Sequence, residues 1–432
     1  MKGFAMNSTP RKALVAAAAG NFIEWYEFAV YGFLATIMAQ NFFRLEGETE
    51  LTGIILTWAS FAISFFFRPL GALIFGRIGD RMGRKPTLIM VLVLMTLATT
   101  AIGLMPTYAM LGVAAPLLLT LLRILQGLFA GGEFGGAVAL MTEYAPPGRR
   151  GWYGAWQSFT VALGLLGGIG IVSLLVATVG EAGLLDWAWR IPFLLALPLG
   201  LVALWLRLHL EETPTFSDAQ HPAQAHYTPS ARETCKAIAL GIGRLMVWSA
   251  AGYTFLVIMP GYLQTSLHTG MQTALLMALL SNVGFALTIL PAGWLSDRIG
   301  RRRVMVSAAV MLLVLTLPLL KVLQADVAVA VKGVAVLLAG AVVGLLAGPG
   351  PAMLSEMFPT RVRYTGLGVA YSLSNAIFSG CAGLIITSLI KQTGNVDIPA
   401  WYVMVTAVIS IGALMTLRPD DHRRALDAIE EK

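Results

Sequence analysis

Two carboxylates lie inside the first long apolar stretch of this sequence. Glu24 and Glu27 come about ten to thirteen residues into that stretch, which at about 1.5 Å per helical residue places them near the middle of a bilayer. A charged carboxylate at that depth costs roughly 2.5 to 3.5 kcal/mol, so each acid needs a cation, a proton or water. We therefore expect one of them to take up a proton on one side of a membrane and to release it on the other.

Arg123 is the expected partner of these acids. It lies at a matching depth in the fourth apolar stretch, with Gln126 one helical turn further on and Glu133 beyond it. The sequence predicts that Arg123 pairs with Glu24 or Glu27, and it predicts Glu133 as a further member of the proton-coupling group. Two interpretations stay open: a structural pair that locks two helices together, or a centre that exchanges protons.

Further polar residues within apolar stretches are candidates for binding a small solute. Asn21 and Tyr31 fall broadly on the same helical face as the two acids, and this face is predicted to line a cavity. Arg244, in the seventh stretch, could supply a cation for a carboxylate. Arg68 could do the same, or could simply extend to the membrane interface. The predicted solute site comprises Arg123, Asn21, Tyr31, Gln126, Arg244, Arg68 and Asn375.

The composition indicates which elements hold these residues. Of the 432 residues, 57% are hydrophobic and only 12% are charged, and the mean hydropathy is +0.75. These values are far too apolar for a soluble globule. Apolar stretches of about 20 residues predict about twelve membrane-spanning helices. The predicted fold class is an all-α membrane protein with twelve transmembrane helices in two six-helix bundles.

Polar interruptions divide the chain into units. The longest runs from His209 to Glu233, has no apolar periodicity and is predicted to link the two bundles. The predicted units are an N-terminal bundle at 1–208, a cytoplasmic linker at 209–236, a C-terminal bundle at 237–418 and a short cytoplasmic tail at 419–432.

The net charge of +7 comes from Lys and Arg clusters between apolar stretches. These clusters form no continuous basic face for nucleic acid. By the positive-inside rule they place both termini and the linker in the cytoplasm.

One sequence pattern occurs twice. GRIGDRMGRK at 76–85 and GWLSDRIGRR at 293–302 lie 293 − 76 = 217 residues apart. A second pair, EYAPPGRRG at 143–151 and EMFPTRVRY at 356–364, is offset by 356 − 143 = 213 residues. Because six helices separate the copies, we expect parallel repeats related by a pseudo-twofold axis along the membrane normal.

The repeated hinges are also predicted to form a cytoplasmic gate. Asp80 would lie near a helix N-terminus while neighbouring arginines reach Glu143, and Asp297 and its neighbours would do the same with Glu356. Such contacts would form only when the cytoplasmic side is closed. The alternative is that these basic loops only set the orientation of the chain. The predicted gate comprises Gly76, Asp80, Arg81, Gly83, Arg84, Glu143, Asp297, Arg298, Gly300, Arg301 and Glu356.

The doubled G-x-x-x-D-R-x-G-R-[KR] pattern resembles the major facilitator superfamily. More narrowly, GNFIEWYEFAVYGF at 20–33, RILQGLFAGGEFGG at 123–136, EYAPPGRRGWYGAWQS at 143–158 and DWAWRIPF at 186–193 resemble its metabolite/proton symporters. The resemblance implies alternating access and proton-coupled uptake of an organic acid or of a zwitterion such as proline or betaine. Where that family usually has Asp as the second acid of the first span, this chain has Glu27.

The predicted function is import of a small carboxylate-bearing metabolite together with protons across the cytoplasmic (inner) membrane. A proton-driven exporter or antiporter and a non-transporting membrane sensor remain alternatives. The expected partners are a small-molecule substrate, protons and the lipid bilayer, without nucleic acid, and the protein is expected to be a monomer. The sequence contains no P-loop, metal-ligand spacing or nucleophile constellation, so no enzyme activity, cofactor or metal is expected.

Overall fold

The computed structural model describes most of the chain, and every regular element in the described part is a helix. The described residues are 8–43, 49–82, 84–143, 145–146, 148–209, 230–358, 360–419 and 423. Within these ranges, side chains are described except at 8–17, 76–77, 79–82, 84–85, 136, 139–140, 143 and 360–365.

The first half contains six helical spans, α1 to α6, several of them built from two segments. They are α1 at Ser8–Phe33 and Ala35–Phe42, α2 at Glu50–Phe66 and Arg68–Met82, α3 at Arg84–Leu104, α4 at Ala114–Ala130 and Phe134–Glu143, α5 at Arg150–Gly183, and α6 at Arg190–Leu194 and Ala196–Leu208. A one-turn helix, Tyr108–Leu111, and a π-helical turn, Leu184–Ala188, lie in the connections.

The second half contains six more spans, α7 to α12. They are α7 at Ala231–Tyr253 and Met259–Ser266 with a π-helical turn at Thr254–Ile258 between them, α8 at Met271–Ile299, α9 at Arg301–Gln324, α10 at Val329–Ala347 and Gly350–Ser355, α11 at Thr360–Ser374 and Ala382–Thr393 with a π-helical turn at Asn375–Gly380, and α12 at Ile398–Leu414.

The length and apolarity of these helices fit a membrane-spanning protein. Within the described residues, nine helices are long and apolar enough to cross a membrane, and the shorter apolar helices Ala114–Ala130 and Ile398–Leu414 continue the pattern. Together with Ser8–Phe33, these make up the twelve spans. The predicted fold class is confirmed.

The first helix of the second half begins within the segment predicted as the linker. It starts at Ala231, six residues before the predicted boundary at 237. Ser230 caps this helix: its side chain accepts a hydrogen bond from the backbone N–H of Glu233, and the Glu233 side chain accepts one from the backbone N–H of Ser230. Such a capping box satisfies N–H groups that would otherwise lack partners, so the helix can start within the polar segment.

The sequence duplication is visible in the structure at two equivalent helix crossings. A Cβ on Gly127 of α4 would collide with the backbone carbonyl of Ser64 in α2, and a Cβ on Gly340 of α10 would collide with that of Ser281 in α8. The offsets, 340 − 127 = 213 and 281 − 64 = 217, match those of the two pairs of hinges. Glycine therefore permits the same close backbone approach in both halves.

Candidate functional site

Glu24 forms a buried ion pair with Arg68. The distance from Glu24 Oε1 to Arg68 Nη1 is 3.1 Å, and the side chains are only 2% and 3% exposed. The guanidinium also lies over the rings of Phe28 and Phe65, with 4.2 and 4.4 Å from Cζ to the ring centroids. Arg68 therefore does not extend to the membrane interface. Arg68, from the adjacent α2, is therefore the direct partner of Glu24 in this structure.

Glu27 lies in a hydrogen-bond chain that ends at Arg123. Thr99 of α3 donates its hydroxyl hydrogen to Glu27 Oε2 at 2.8 Å, and Gln126 Nε2 donates to Thr99 Oγ1 at 2.6 Å. Arg123 Nη1 in turn donates to Gln126 Oε1 at 2.6 Å. All four side chains are buried. Arg123 thus acts on Glu27 through two intervening polar groups.

The rest of the Arg123 guanidinium is enclosed by α1 and α2. Nη2 donates to Ser64 Oγ at 3.2 Å. Cζ lies 4.1 Å from the centroid of the Tyr31 ring and 5.1 Å from that of Phe61, and the Tyr31 hydroxyl hydrogen-bonds with Ser60. Tyr31 therefore encloses the cation from the side of α1.

A small cavity lies between the two halves of the molecule. Its volume is about 40 Å³, little more than the roughly 30 Å³ that one water molecule occupies in the liquid and far below the roughly 300 Å³ of a small ligand pocket. Its wall includes Trp25 from the first half and Trp248, Tyr253, Phe285, Tyr371 and Asn375 from the second. The two halves of the molecule therefore lie close together around this cavity.

One membrane face, which we call the hinge face, is the side where α5 begins and α8 ends. There Asp297 accepts hydrogen bonds from the backbone N–H groups of Gly151 and Trp152 at 2.7 and 2.9 Å. These N–H groups belong to the first turn of α5, so the carboxylate of one half caps a helix of the other. Arg301 Nη1 holds the same carboxylate at 2.8 Å.

Glu356 adds a second connection at the hinge face. Its Oε1 lies 3.1 Å from Arg301 Nη2 and 3.6 Å from Arg150 Nε, and Arg150 belongs to the first half. Arg298, also predicted for the gate, instead lies over the Trp294 ring at 3.9 Å. Gly300 joins α8 to α9 with a φ of 97°, a conformation that glycine adopts without strain. The side chains of the corresponding first-half residues, Gly76, Asp80, Arg81, Gly83, Arg84 and Glu143, lie outside the described part.

The opposite face is also closed by contacts between the halves. Trp58 of α2 packs so closely on Gly383 of α11 that a Cβ there would collide with the indole ring. Thr36 at the end of α1 donates to Gln264 Oε1 at the end of α7, at 3.2 Å. The two halves therefore contact each other on both sides of the central cavity.

Three predicted site residues lie elsewhere. Asn21 Nδ2 donates to Thr160 Oγ1 and to the carbonyl of Gln157 on α5, at 2.7 and 3.1 Å. Arg244 donates to Thr416 Oγ1 at 2.8 Å beyond the end of α12, so in this structure it lies away from the central cavity. Arg244 lies in the first half of α7, 244 − 231 = 13 residues after its start.

The third residue is Glu133, which pairs with Arg207 of α6. Arg207 Nη1 also donates to the carbonyl of Leu88 on α3 at 2.7 Å. A Cβ on Gly20 of α1 would collide with the Arg207 guanidinium. Glu133 and Arg207 therefore fasten four helices of the first half near their hinge-side ends.

Sequence reasoning missed Thr99, Trp25 and Arg207 as members of these networks. Thr99 is one of several threonines in an apolar span, so its sequence position does not distinguish it. Trp25 lies next to Glu24, but the face that carries Glu24, Glu27 and Tyr31 points into the first bundle, and Trp25 instead lines the cavity. A turn of about 100° per residue accounts for this difference.

Known families and proteins match nearly the whole chain. Residues 12–234 match the family described as sugar (and other) transporter, and residues 240–432 match the major facilitator superfamily. The chain is 34% identical over 425 residues to the proline/betaine transporter of Escherichia coli (strain K12), covering 96% of this chain and 84% of that protein. It is 35% identical over 400 residues to the alpha-ketoglutarate permease of the same organism, covering 92% and 91%.

A solved structure supports the fold. The crystal structure of a D-xylose–proton symporter aligns with a TM-score of 0.76 at 18% identity, over 97% of this chain and all of the other. The fold is that of a multi-pass membrane protein. The chain belongs to the major facilitator superfamily, and its relatives identify it as a metabolite transporter of that superfamily.

Proposed function

We propose that this protein is a proton-coupled symporter that imports a small carboxylate-bearing solute by alternating access. The observation that carries the proposal is the Glu24–Arg68 ion pair, buried behind the wall of a cavity between the two halves. Buried charge in a membrane is costly and is typically retained for binding or for proton transfer. An acid can carry the proton, and an arginine can bind a carboxylate.

In this mechanism Glu24, Glu27 and Arg123 form the proton-coupling group. Protonation removes the charge of one acid and so changes how strongly α1 is held to α2, α3 and α4. Arg68 is the cation that a solute carboxylate can reach, because it packs against the cavity residue Trp25.

We further propose that the hinge face is cytoplasmic and that the contacts of Asp297 and Glu356 form its gate. Both carboxylates connect one half to the other, so they must separate when this face opens. The equivalent first-half hinge at 76–85 would then join α2 and α3 to the same gate. Loop arginines on this side agree with the positive-inside rule.

The purified protein in liposomes tests the proposal. Counterflow would be measured with proline, glycine betaine, 2-oxoglutarate, citrate and shikimate, followed by uptake with and without an acidic exterior. We expect at least one of these solutes to accumulate with an acidic exterior and to leak out when a protonophore is added. Liposomes that carry the Glu24→Gln/Glu27→Gln double variant are the matched control and should lose the effect of the gradient.

Other outcomes would support the alternatives. Accumulation driven by an acidic interior, in either orientation of the inserted protein, would show that solute and protons move in opposite directions. That outcome would indicate a proton-driven exporter or antiporter. Binding of a solute without counterflow would indicate a sensor, and transport of none of the five solutes would contradict the proposed substrate class.

A further inference from the structure

The two acids of α1 face separate surroundings. Glu24 is paired with Arg68 close to the central cavity, whereas Glu27 belongs to the hydrogen-bond chain inside the first half. Phe28 lies between them and packs against both guanidinium groups, 4.2 Å from Arg68 Cζ and 5.0 Å from Arg123 Cζ. An aromatic ring therefore divides the buried charges into two compartments.

The compartment near the cavity has hydrogen-bonding capacity left over. Arg68 Nη1 pairs with Glu24, but Nε and Nη2 are buried and have no hydrogen-bond partner in the described part of the chain. The same holds for the hydroxyl of Tyr253, which lines the cavity. Arg68 and Tyr253 pack on the same two rings, those of Trp25 and Phe65. Unpartnered N–H and O–H groups clustered in this way suit the oxygens of a carboxylate.

The cavity wall suits a positively charged nitrogen as well. Trp25 and Tyr253 meet across it at 6.1 Å between ring centroids, and Trp248 and Tyr371 meet at the same distance. The faces of such rings attract ammonium groups, and several rings around one cavity are the usual way to hold a quaternary ammonium. Glu24 adds a negative charge nearby, because it pairs with Arg68, whose Cζ lies 5.5 Å from the centroid of the Trp25 ring.

The number of cations near the cavity favours a solute with one carboxylate over a solute with two. Arg68 is the one cation that packs against the cavity wall in the described part of the chain. Arg123 is enclosed by Tyr31 and Phe28, and Arg244 is bonded beyond the end of α12. The second carboxylate of a dicarboxylic acid would be buried without a counter-charge. A zwitterion adds no net charge to the Glu24–Arg68 pair.

We infer that the Glu24–Arg68 pair and the aromatic wall bind a zwitterion with one carboxylate and one ammonium group, while Glu27 carries the transported proton. Arg68 binds the carboxylate, and Glu24 with the rings of Trp25 and Tyr253 binds the ammonium. The inference rests on the proposed function and divides its proton-coupling group into a solute site and a proton site.

The surroundings of Glu27 support this division. Oε2 accepts the Thr99 hydrogen bond, and Oε1 is buried without a partner in the described part of the chain, so one oxygen is available for a proton. The titratable or charged groups nearest to Glu27 are Glu24 and Tyr26 on α1 and Arg123 and Glu133 on α4, with the Thr99 hydroxyl on α3. None of these except Glu24 belongs to the solute site.

Competition in counterflow tests the solute class. Glycine betaine and 3,3-dimethylbutyrate have the same shape and the same carboxylate, but a neutral carbon replaces the ammonium nitrogen in the second. With wild-type protein in liposomes we expect betaine to compete at least about tenfold better, since the rings and Glu24 act only on the cation. Equal competition would overturn the ammonium site.

Three variants then separate the roles of the acids. Glu24→Gln should raise the KM for betaine at least about tenfold and abolish the preference over 3,3-dimethylbutyrate, with stimulation by the pH gradient retained. Glu24→Asp keeps the charge and should restore the preference. Glu27→Gln should abolish gradient-driven accumulation, with the KM of exchange changed less than about threefold.

The results distinguish this inference from the proposed function. Gradient-driven transport of 2-oxoglutarate as efficient as that of betaine would overturn the zwitterion site and leave proton symport standing. Loss of gradient dependence in Glu24→Gln but not in Glu27→Gln would reverse the assignment of the two acids. Transport of no carboxylate-bearing solute by the wild-type protein would contradict the proposed function itself.

Discussion

The crossing of α2 with α4 and the crossing of α8 with α10 share one backbone geometry but carry different chemistry. A Cβ on Gly131 would collide with the carbonyl of Arg68, and a Cβ on Gly344 would press on that of Phe285. The offsets, 344 − 131 = 213 and 285 − 68 = 217, make Phe285 the counterpart of Arg68. A buried cation in one half thus corresponds to an aromatic ring in the other.

The position that corresponds to Arg123 in the second half also carries no charge. At the offset of 336 − 123 = 213 this position is Val336, which is also buried. The duplicated helices therefore supply a symmetric scaffold, while charge at these positions stays in the first half and the second half contributes aromatic and apolar walls. Since each buried charge is costly, a single charged half limits that cost while the other half shapes the cavity.

The largest expected effect concerns the shared backbone geometry. Gly127→Ala and Gly340→Ala should each destabilise the protein by about 2 to 3 kcal/mol or more, because the added Cβ meets a backbone carbonyl that cannot rotate away. Thermal unfolding of detergent-purified protein measures this loss. Gly170→Ala and Gly412→Ala are matched controls, since a Cβ at those positions meets no atom within 4 Å. Destabilisation by only one of the first two variants would show that the crossings are not equivalent.

A smaller effect is expected at the hinges. Asp297→Asn removes the negative charge that caps α5 and pairs with Arg301. We expect the maximal rate of uptake to fall about five- to tenfold with little change in KM, as the closed hinge face loses stability relative to the open one. Asp80→Asn is the matched variant in the first hinge and should act in the same direction.

Accessibility of the centre would show whether the conformational balance has shifted. In a background with Cys235 and Cys381 replaced by Ser, a cysteine at the cavity residue Ser158 should react faster with a thiol reagent applied from the hinge face when Asp297 is Asn. An unchanged rate together with normal uptake would exclude a gating role for Asp297.

The smallest expected effect concerns the face opposite the hinge face, where the two halves are held by different contacts. There Arg190 donates to the carbonyl of Gly103, whereas in the second half Lys321 pairs with Asp397. Hydrogen bonds from Lys321 and then Gln324 hold the pKa of Asp397 below its ordinary value. A lowered pKa stabilises the fold at pH values above the ordinary Asp value of about 3.9 and loses that stabilisation as the pH falls through the folded-state pKa.

Asp397→Asn should therefore cost at most about 1 kcal/mol at neutral pH, because this pair is exposed. The difference from wild type should begin to shrink in thermal unfolding as the pH falls below about 3.9 and should disappear below the lowered folded-state pKa. Arg190→Met is the comparison variant, and its effect should not depend on pH in this range because its partners are carbonyls. A difference between Asp397→Asn and wild type that persists in acid would contradict the role of the ion pair.

Much of the architecture could be predicted from the sequence because it depends on features that recur along the chain. Span length, the basic clusters and the offsets of the repeated hinges indicated twelve helices in two related halves. The same reasoning placed Glu24, Glu27 and Arg123 at one depth, since depth follows from counting residues along a helix. The end of the linker was less predictable, because the capping box at Ser230 outweighs the polar composition around it.

The sequence by itself determined that the chain spans a membrane, that its two halves are related, and that acids and arginines lie within its spans. Only the tertiary structure decided which partner each charged side chain has: Arg68 for Glu24, the Thr99 hydroxyl for Glu27, and Thr416 beyond α12 for Arg244. The physical reason is that helix periodicity gives the depth and relative direction of a side chain, whereas its partner depends on how neighbouring helices are rotated and packed. That rotation is set by close helix contacts at glycines, such as the contact of Gly127 with Ser64, 127 − 64 = 63 positions earlier in the chain. No single stretch of sequence reveals such a contact.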